Sequence, residues 1–335
     1  MITRSATIRQ TPLWQRQLAG AITDLDALCL ALDLDPVLLS QADPGRDFPL
    51  RVPLPFVERM QKGNPDDPLL LQVIPQDREM LDVPGYNRDP VGDRQAMVAP
   101  GLLHKYHGRV LMTMTGACAI HCRYCFRRHY PYPLANPAAR EWSEALDYLA
   151  EHREVHELIL SGGDPLSLSD TRLARFVNKL NDINTVKTLR IHTRLPVVIP
   201  ERICEDLLAW VHDARLQMVF VIHCNHAQEI DTDVREALGR LRQAGVTLLN
   251  QSVLLRGIND SVDILESLSH ALFDAGVLPY YLHALDPVAG AAHFDLTEEN
   301  ARAIHYALQA RLPGYLVPRL VREKPGASSK QSLFR

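Results

Sequence analysis

The chain has no uninterrupted apolar run of the roughly 18 residues that a bilayer-spanning helix requires. Its opening stretch, MITRSATIRQTPLWQRQLAG, lacks the continuous apolar segment of a secretory signal. A cytoplasmic protein without a membrane partner is therefore expected. Excess charge is also missing, since 36 basic residues stand against 40 acidic ones for a formal net charge of -4. That balance supplies no bulk field for nucleic acid, and none is expected as a partner. Cysteine is scarce: six in 335 residues are too few for a disulfide scaffold. What the chain does have is length and 46% hydrophobic residues, enough to bury a large core.

The pattern along the chain changes once. Residues 12–32 and 54–61 read as helices, and the segment from Pro65 to Pro100 is rich in Pro, Asp and Gly with weak periodicity. From residue 109, strand-like runs occur at 109–115, 156–161, 188–193, 217–223, 246–254 and 277–285, the later ones starting about 30 residues apart. Between them apolar residues recur at three and four, as in Leu173, Phe176, Val177 and Leu180, or Val262, Leu265, Leu268 and Leu272. Six βα units of this kind form either an open partial barrel or a doubly wound sheet, and periodicity does not choose between them. Both collect chemistry at the carboxyl ends of the strands. Ser161 to Asp164, His192-Thr193-Arg194, His223-Cys224-Asn225 and Asp286 all fall there.

Three of the six cysteines lie within eight positions, in MTGACAIHCRYCFRR. Cys118, Cys122 and Cys125 have the spacing C-x3-C-x2-C, which lets thiolates reach three corners of one metal group. Zinc in a structural site normally takes a fourth protein ligand, for which His121 is a conceivable donor, whereas three ligands on an iron–sulfur cluster leave one iron open. Both readings stand on the spacing alone. Cys29, Cys204 and Cys224 sit in apolar stretches and are expected to be structural.

The three-cysteine segment resembles the cluster loop of radical S-adenosylmethionine (SAM) enzymes, and Gly162-Gly163-Asp164 resembles the glycine-rich turn after their second strand. The resemblance implies a partial (β/α)6 barrel of α/β class and a [4Fe–4S] cluster on Cys118, Cys122 and Cys125. It also implies S-adenosyl-L-methionine chelating the open iron, its amino group received by the Gly162–Asp164 turn. One electron from a reductant such as flavodoxin or ferredoxin then releases a 5′-deoxyadenosyl radical. Glycines let backbone approach a ligand closely, and a carboxylate accepts a charge-assisted bond from an ammonium.

The C-terminal segment GYLVPRLVREKPGASSK resembles the lysine 2,3-aminomutase branch of that family, with fewer glycines before its lysine. On this match Lys330 carries pyridoxal 5′-phosphate, because a primary amine condenses with the cofactor's aldehyde. The match also assigns Arg127 to the substrate's α-carboxylate, as a bidentate guanidinium. Asp286 and Glu323 fall to the distal ammonium of L-lysine, Glu323 standing where the family usually has the shorter aspartate. A buried alkylammonium needs such counter-charge, which favours lysine over an uncharged side chain.

The segment SATIRQTPLWQRQLAGAITD resembles the shorter bacterial proteins that make (R)-β-lysine from (S)-α-lysine for elongation factor P, which implies a functional link to that factor and its β-lysine ligase. Ser261 occupies the place of a zinc-ligating cysteine of the catabolic relatives, and no cysteine follows Cys224. Structural zinc is therefore not expected. The organisation implied is an N-terminal helical or irregular extension (1–100), a radical SAM partial barrel (101–295) and a C-terminal helix, strand and pyridoxal-phosphate lysine tail (296–335). A radical SAM aminomutase with another amino-acid substrate and a non-enzymatic zinc-binding module are the alternatives.

Overall fold

The computed structural model describes residues 11–36, 48–133 and 142–334, so the SATIRQ part of the N-terminal segment lies outside the described residues. Ten strands form one sheet, and their spatial order is their chain order: β1 (Met97–Ala99), β2 (Leu102–Tyr106), β3 (Arg109–Thr115), β4 (Glu157–Gly162), β5 (Thr188–Thr193), β6 (Gln217–His223), β7 (Thr247–Val253), β8 (Leu278–His283), β9 (Arg319–Arg322) and β10 (Gln331–Ser332). Strands β3 to β9 are parallel, while β1–β2 and β10 add antiparallel edges. This is the α/β architecture that repeated strand–helix crossovers produce.

The six anticipated strands appear within a residue or two of their expected limits. Three features were not legible. The β1–β2 hairpin is short, and too few of its residues alternate to register as strands, whereas a C-terminal strand, expected within 296–335, is present as β9 beside the two-residue β10. The expected single helix over 12–32 is two, α1 (Leu13–Ala19) and α2 (Leu25–Ala31), because Asp24 caps a new start by accepting from the Ala27 N–H at 2.9 Å. The helix expected over 54–61 shrinks to α3 (Leu54–Val57).

The helices that cross between strands are α4 (Ser143–Glu151), α5 (Asp170–Asn181), the short α6 (Leu195–Val198), α7 (Glu205–Asp213), α8 (Thr232–Gln243) and α9 (Val262–Asp274), and α10 (Glu298–Arg311) leads to β9. Their starts follow from local chemistry: Asp231, Ser261 and Thr297 accept from the backbone N–H three residues on. Their apolar stripes are buried, those of α5 (Leu173, Phe176, Val177 and Leu180) in one hydrophobic core with Leu189 and Ile191 of β5. Each such side chain contributes roughly 1.5–3 kcal/mol on full burial. Arg190 and His192 of β5, and Leu249 and Gln251 of β7, alternate with the buried set and stay half-buried on the opposite face of the sheet.

Two further contacts position the site. Residues from Phe48 to Met80 wrap the cysteine loop, Arg51 Nε donating to the Cys118 carbonyl at 3.1 Å and the Arg123 N–H to the Gln72 carbonyl at 2.9 Å. Asn87 pairs with the turn after β8, its N–H donating to the Pro287 carbonyl and its own carbonyl accepting from Ala289, each at 2.9 Å. That turn carries Asp286.

Candidate active site

Cys118, Cys122 and Cys125 follow the carboxyl end of β3 as free thiols. The loop is braced by Arg123, which is fully buried and grips Glu79 with Nε at 2.8 Å and Nη2 at 2.5 Å. Arg128 donates to the same carboxylate at 2.7 Å and to the Gly290 carbonyl at 3.2 Å. Burial, then the neighbouring Cys122, pushes the Cys125 thiol up to about 11. A thiol so placed is a poor nucleophile, and a bound cationic metal group would favour its thiolate form. Among the described residues no three His, Cys, Asp or Glu side chains gather as ligands of a single ion. His121 Nδ1 sits 2.8 Å from the Pro49 carbonyl, and the ring stacks on Phe48 with centroids 4.8 Å apart. Three free thiols on one loop after β3 are a donor set whose chemistry suits an iron–sulfur cluster with one corner free.

The Gly162–Asp164 turn lies directly on the cysteine loop. Gly163 N–H donates to the Thr115 carbonyl at 2.7 Å and Asp164 N–H to the Ala117 carbonyl at 2.8 Å. A Cβ on Gly163 would lie 2.3 Å from the Ala117 carbonyl oxygen, and Gly162 has φ +115. The missing side chains thus serve the contact between two loops. Asp164 is buried, and its carboxylate already accepts from Thr193 Oγ1 at 2.7 Å, Arg194 N–H at 2.7 Å, Leu166 N–H at 3.0 Å and Leu195 N–H at 3.1 Å. Its side chain ties β4 to the end of β5.

Beyond that turn lies a buried polar network that sequence reasoning did not assign. Arg194 Nη1 lies 2.8 Å from Cys122 Sγ and 2.8 Å from Tyr124 Oη, while Nη2 donates to Glu229 Oε2 at 2.9 Å and to Gln72 Oε1 at 2.6 Å. Glu229 is fully buried, and burial opposes its charge, but Arg194 holds it below the ordinary carboxylate range. The only signal in the sequence was the position of His192-Thr193-Arg194 at a strand end.

The assigned substrate and cofactor residues meet in a chain of alternating charge. Arg127, 7% exposed, donates through Nε to Asp93 Oδ2 at 2.7 Å and through Nη1 to Ser161 Oγ at 3.0 Å. Asp93 Oδ1 is 2.6 Å from Lys105 Nζ, which reaches Glu323 Oε1 at 2.9 Å, and Glu323 Oε2 accepts from Lys330 Nζ at 2.7 Å. Burial opposes the Glu323 charge, yet Lys330 and Lys105 together bring its carboxyl down to about 2. Asp286 behaves oppositely. Burial first and the Glu323 charge second push it up to about 7, and its Oδ1 is buried with no hydrogen-bond partner among the described residues. His192 Nε2 is likewise buried without a partner among the described residues, and burial first, then Arg190, Lys330 and Arg127, disfavour a charged ring.

Arg127 is therefore no surface residue, Glu323 pairs with neither neighbour in sequence, and Lys330 is no solvated tail. Asp93 and Lys105, which complete the chain, were not anticipated: Asp93 sits in the irregular Pro- and Asp-rich stretch and Lys105 on the unrecognised β2. The Asp286 oxygen is without a partner among the described residues, and Lys330 carries a half-buried primary amine.

An open α/β sheet carrying a three-thiol loop after the first parallel strand defines the radical SAM class, and residues 112–219 match the Radical SAM superfamily. Over nearly its whole length the chain is 50% identical to an L-lysine 2,3-aminomutase of Escherichia coli (strain K12), covering 96% of this chain and 94% of that protein. It is 46% identical to one of Haemophilus influenzae, over 98% of each chain, and 44% identical to one of Buchnera aphidicola, over 95% of this chain and 94% of that one. The chain belongs to the L-lysine 2,3-aminomutase family of radical SAM enzymes.

Proposed function

We propose that this chain is a lysine 2,3-aminomutase that converts (S)-α-lysine to (R)-β-lysine by radical 1,2-amino migration, in the cytoplasm, with flavodoxin or ferredoxin as reductant. In this reading Cys118, Cys122 and Cys125 hold a [4Fe–4S] cluster, and the turn Gly162, Gly163 and Asp164 receives S-adenosyl-L-methionine. Lys330 carries pyridoxal phosphate. When bound, these groups supply a hydrogen-abstracting radical and a π-system across which the amino group moves. The protein supplies position and exclusion of water. Arg127, aimed by Asp93, takes the α-carboxylate, and Asp286 with Glu323 takes the distal ammonium.

The observation that carries the substrate is the buried Asp286 oxygen without a partner. Glu323 already meets Lys105 and Lys330, so Asp286 is the acid with capacity to spare. An alkylammonium satisfies it, whereas an uncharged side chain would leave a carboxylate unpaired at a cost of a few kcal/mol.

The translation-factor branch is the finer proposal, with elongation factor P and its β-lysine ligase consuming the product. Support comes from the near full-length similarity to the Escherichia coli and Haemophilus influenzae proteins, and from Ser261, which caps α9 where catabolic relatives are expected to place a zinc cysteine. The division into an extension (1–100), a barrel (101–295) and a cofactor-bearing tail (296–335) is part of the same proposal. The test is anaerobic incubation of reconstituted protein with S-adenosylmethionine, pyridoxal phosphate, reductant and L-lysine, followed by chiral product analysis. (R)-β-lysine is the expected product; unchanged lysine with all three groups bound overturns the reading. Borohydride reduction and peptide mapping separately test Lys330, and label on another lysine would remove it.

A further inference from the structure

We propose that Arg194 is a positioning residue for the iron–sulfur cluster, a buried cationic donor to the Cys122 sulfur that raises the cluster's reduction potential. The inference rests on reading Cys118, Cys122 and Cys125 as cluster ligands and adds a function to a residue that reading does not use.

The geometry is specific. Arg194 is 6% exposed and Glu229 is fully buried, so neither charge is screened by water. The guanidinium is held from several sides: Asp164 fixes its backbone N–H, Gln72 and Glu229 take Nη2, and the Phe56 ring lies 5.2 Å from its Cζ. This leaves Nη1 on Cys122 Sγ and Tyr124 Oη, each at 2.8 Å. Nε is buried and has no partner among the described residues. Glu229 sits behind the guanidinium, on Nη2, so the pair is an oriented dipole with its positive end on the sulfur. Glu229 is itself fixed by the N–H groups of Asn225 at 2.9 Å and His226 at 3.1 Å.

The physical consequence concerns one electron. The oxidised [4Fe–4S] cluster takes an electron from a low-potential donor and becomes more negative by one charge, with no proton needed for balance. A hydrogen bond to a ligating sulfur and a nearby positive charge both stabilise the reduced form more than the oxidised one. Because the site is dry, the interaction is weakly screened. Arg194 therefore makes it easier for the protein's electron donor to load the cluster.

The experiment is a mediator-buffered redox titration of the full reconstituted chain without S-adenosylmethionine or lysine, reading the reduced cluster by electron paramagnetic resonance. At the wild-type midpoint, Arg194→Gln is expected to lower the reduced-to-oxidised ratio at least tenfold, a shift of 59 mV to more negative potential for a one-electron couple. Arg194→Lys should recover most of it. Glu229→Gln, which removes the counter-charge, should move the midpoint the other way. Unchanged midpoints in Arg194→Gln and Glu229→Gln at full iron and sulfide content overturn the proposal. Should those variants not load a cluster, pulsed measurements on wild-type protein carrying 15N-arginine decide it: a nitrogen coupling to the reduced cluster supports the contact, and its absence overturns it. Wild-type protein that takes up no iron would overturn the cluster reading itself.

Discussion

Lys330 stands opposite Glu323 across the β9–β10 turn, with Nζ 2.7 Å from Oε2, because the antiparallel register pairs their neighbours Gln331 and Arg322. Lys105 holds the other oxygen at 2.9 Å. One carboxylate thus ties the β9–β10 turn to β2, near the other end of the sheet's strand order.

Glu323→Ala is expected to leave the half-buried Lys330 ammonium without its counter-charge and Lys105 with Asp93 alone, and to destabilise the fold by about 2 kcal/mol, discounted from the fully buried case because both lysines keep some solvent. Urea unfolding measures it. The pH sign follows from the depressed carboxyl: Glu323 is held at about 2 against 4.5 in an ordinary chain, so its contribution is present above 4.5 and lost as pH falls toward 2. The variant should show no such loss in that window.

Gly163→Ala should damage cluster assembly while sparing the fold. The added Cβ would meet the Ala117 carbonyl oxygen at 2.3 Å, and the loop carrying Cys118 must move to relieve it. Iron and sulfide analysis after anaerobic reconstitution is expected to show a large deficit, with circular dichroism unchanged. Full loading in the alanine variant would mean that the turn does not set the loop's position.

How far the sequence revealed this arrangement depends on the range of the interactions. Long strands announced themselves through period-two runs, and the cysteine loop through spacing within eight residues. The Lys105–Asp93 pair, which supports Arg127, stayed hidden because β2 is short and Asp93 lies in an irregular stretch, where no periodicity reports on tertiary neighbours. Arg194 was visible only as a strand-end residue, since its partners Gln72 and Glu229 are 122 and 35 residues away. Asp164 shows a different limit: its residue type was informative, but the sequence could not tell that Thr193, Arg194 and Leu195 would use up its oxygens.

Asp286 predicts a pH dependence of recognition. Burial and the Glu323 charge place its carboxyl at about 7, so below neutrality it is protonated and a poor partner for an ammonium. Lysine affinity should rise as pH passes through about 7, by up to roughly tenfold per unit on the acidic side. Norleucine, which has no distal ammonium, should bind with no such step. Stability carries the opposite sign: a carboxyl raised above its ordinary 3.8 makes the fold lose stability as pH climbs from about 4 to about 7. Asp286→Asn should abolish both trends, and a lysine affinity flat across pH 7 would remove Asp286 from the ammonium site.

The two ends of the proposed substrate site should fail differently. In the proposed site Asp286 and Glu323 serve the distal ammonium, whereas Arg127, held by Asp93 at 2.7 Å, serves the α-carboxylate that lysine and norleucine share. Asp286→Asn with Glu323→Gln keeps the shape of both side chains and removes the charge facing the ammonium. Lysine binding should then weaken by on the order of 2–5 kcal/mol, because the ammonium would be buried without compensation. At about 1.4 kcal/mol per decade this is more than a tenfold loss. Norleucine should change little. Arg127→Ala should weaken both compounds together, and it also frees Asp93 to pair wholly with Lys105. Of the two acids, Asp286 should account for the larger share of the lysine loss, since Glu323 remains occupied by cations of the chain itself. Competition binding at matched cluster and pyridoxal phosphate occupancy separates these effects from cofactor loss. Equal weakening of lysine and norleucine by the double acid variant would leave the aminomutase fold intact but remove the reason for choosing lysine.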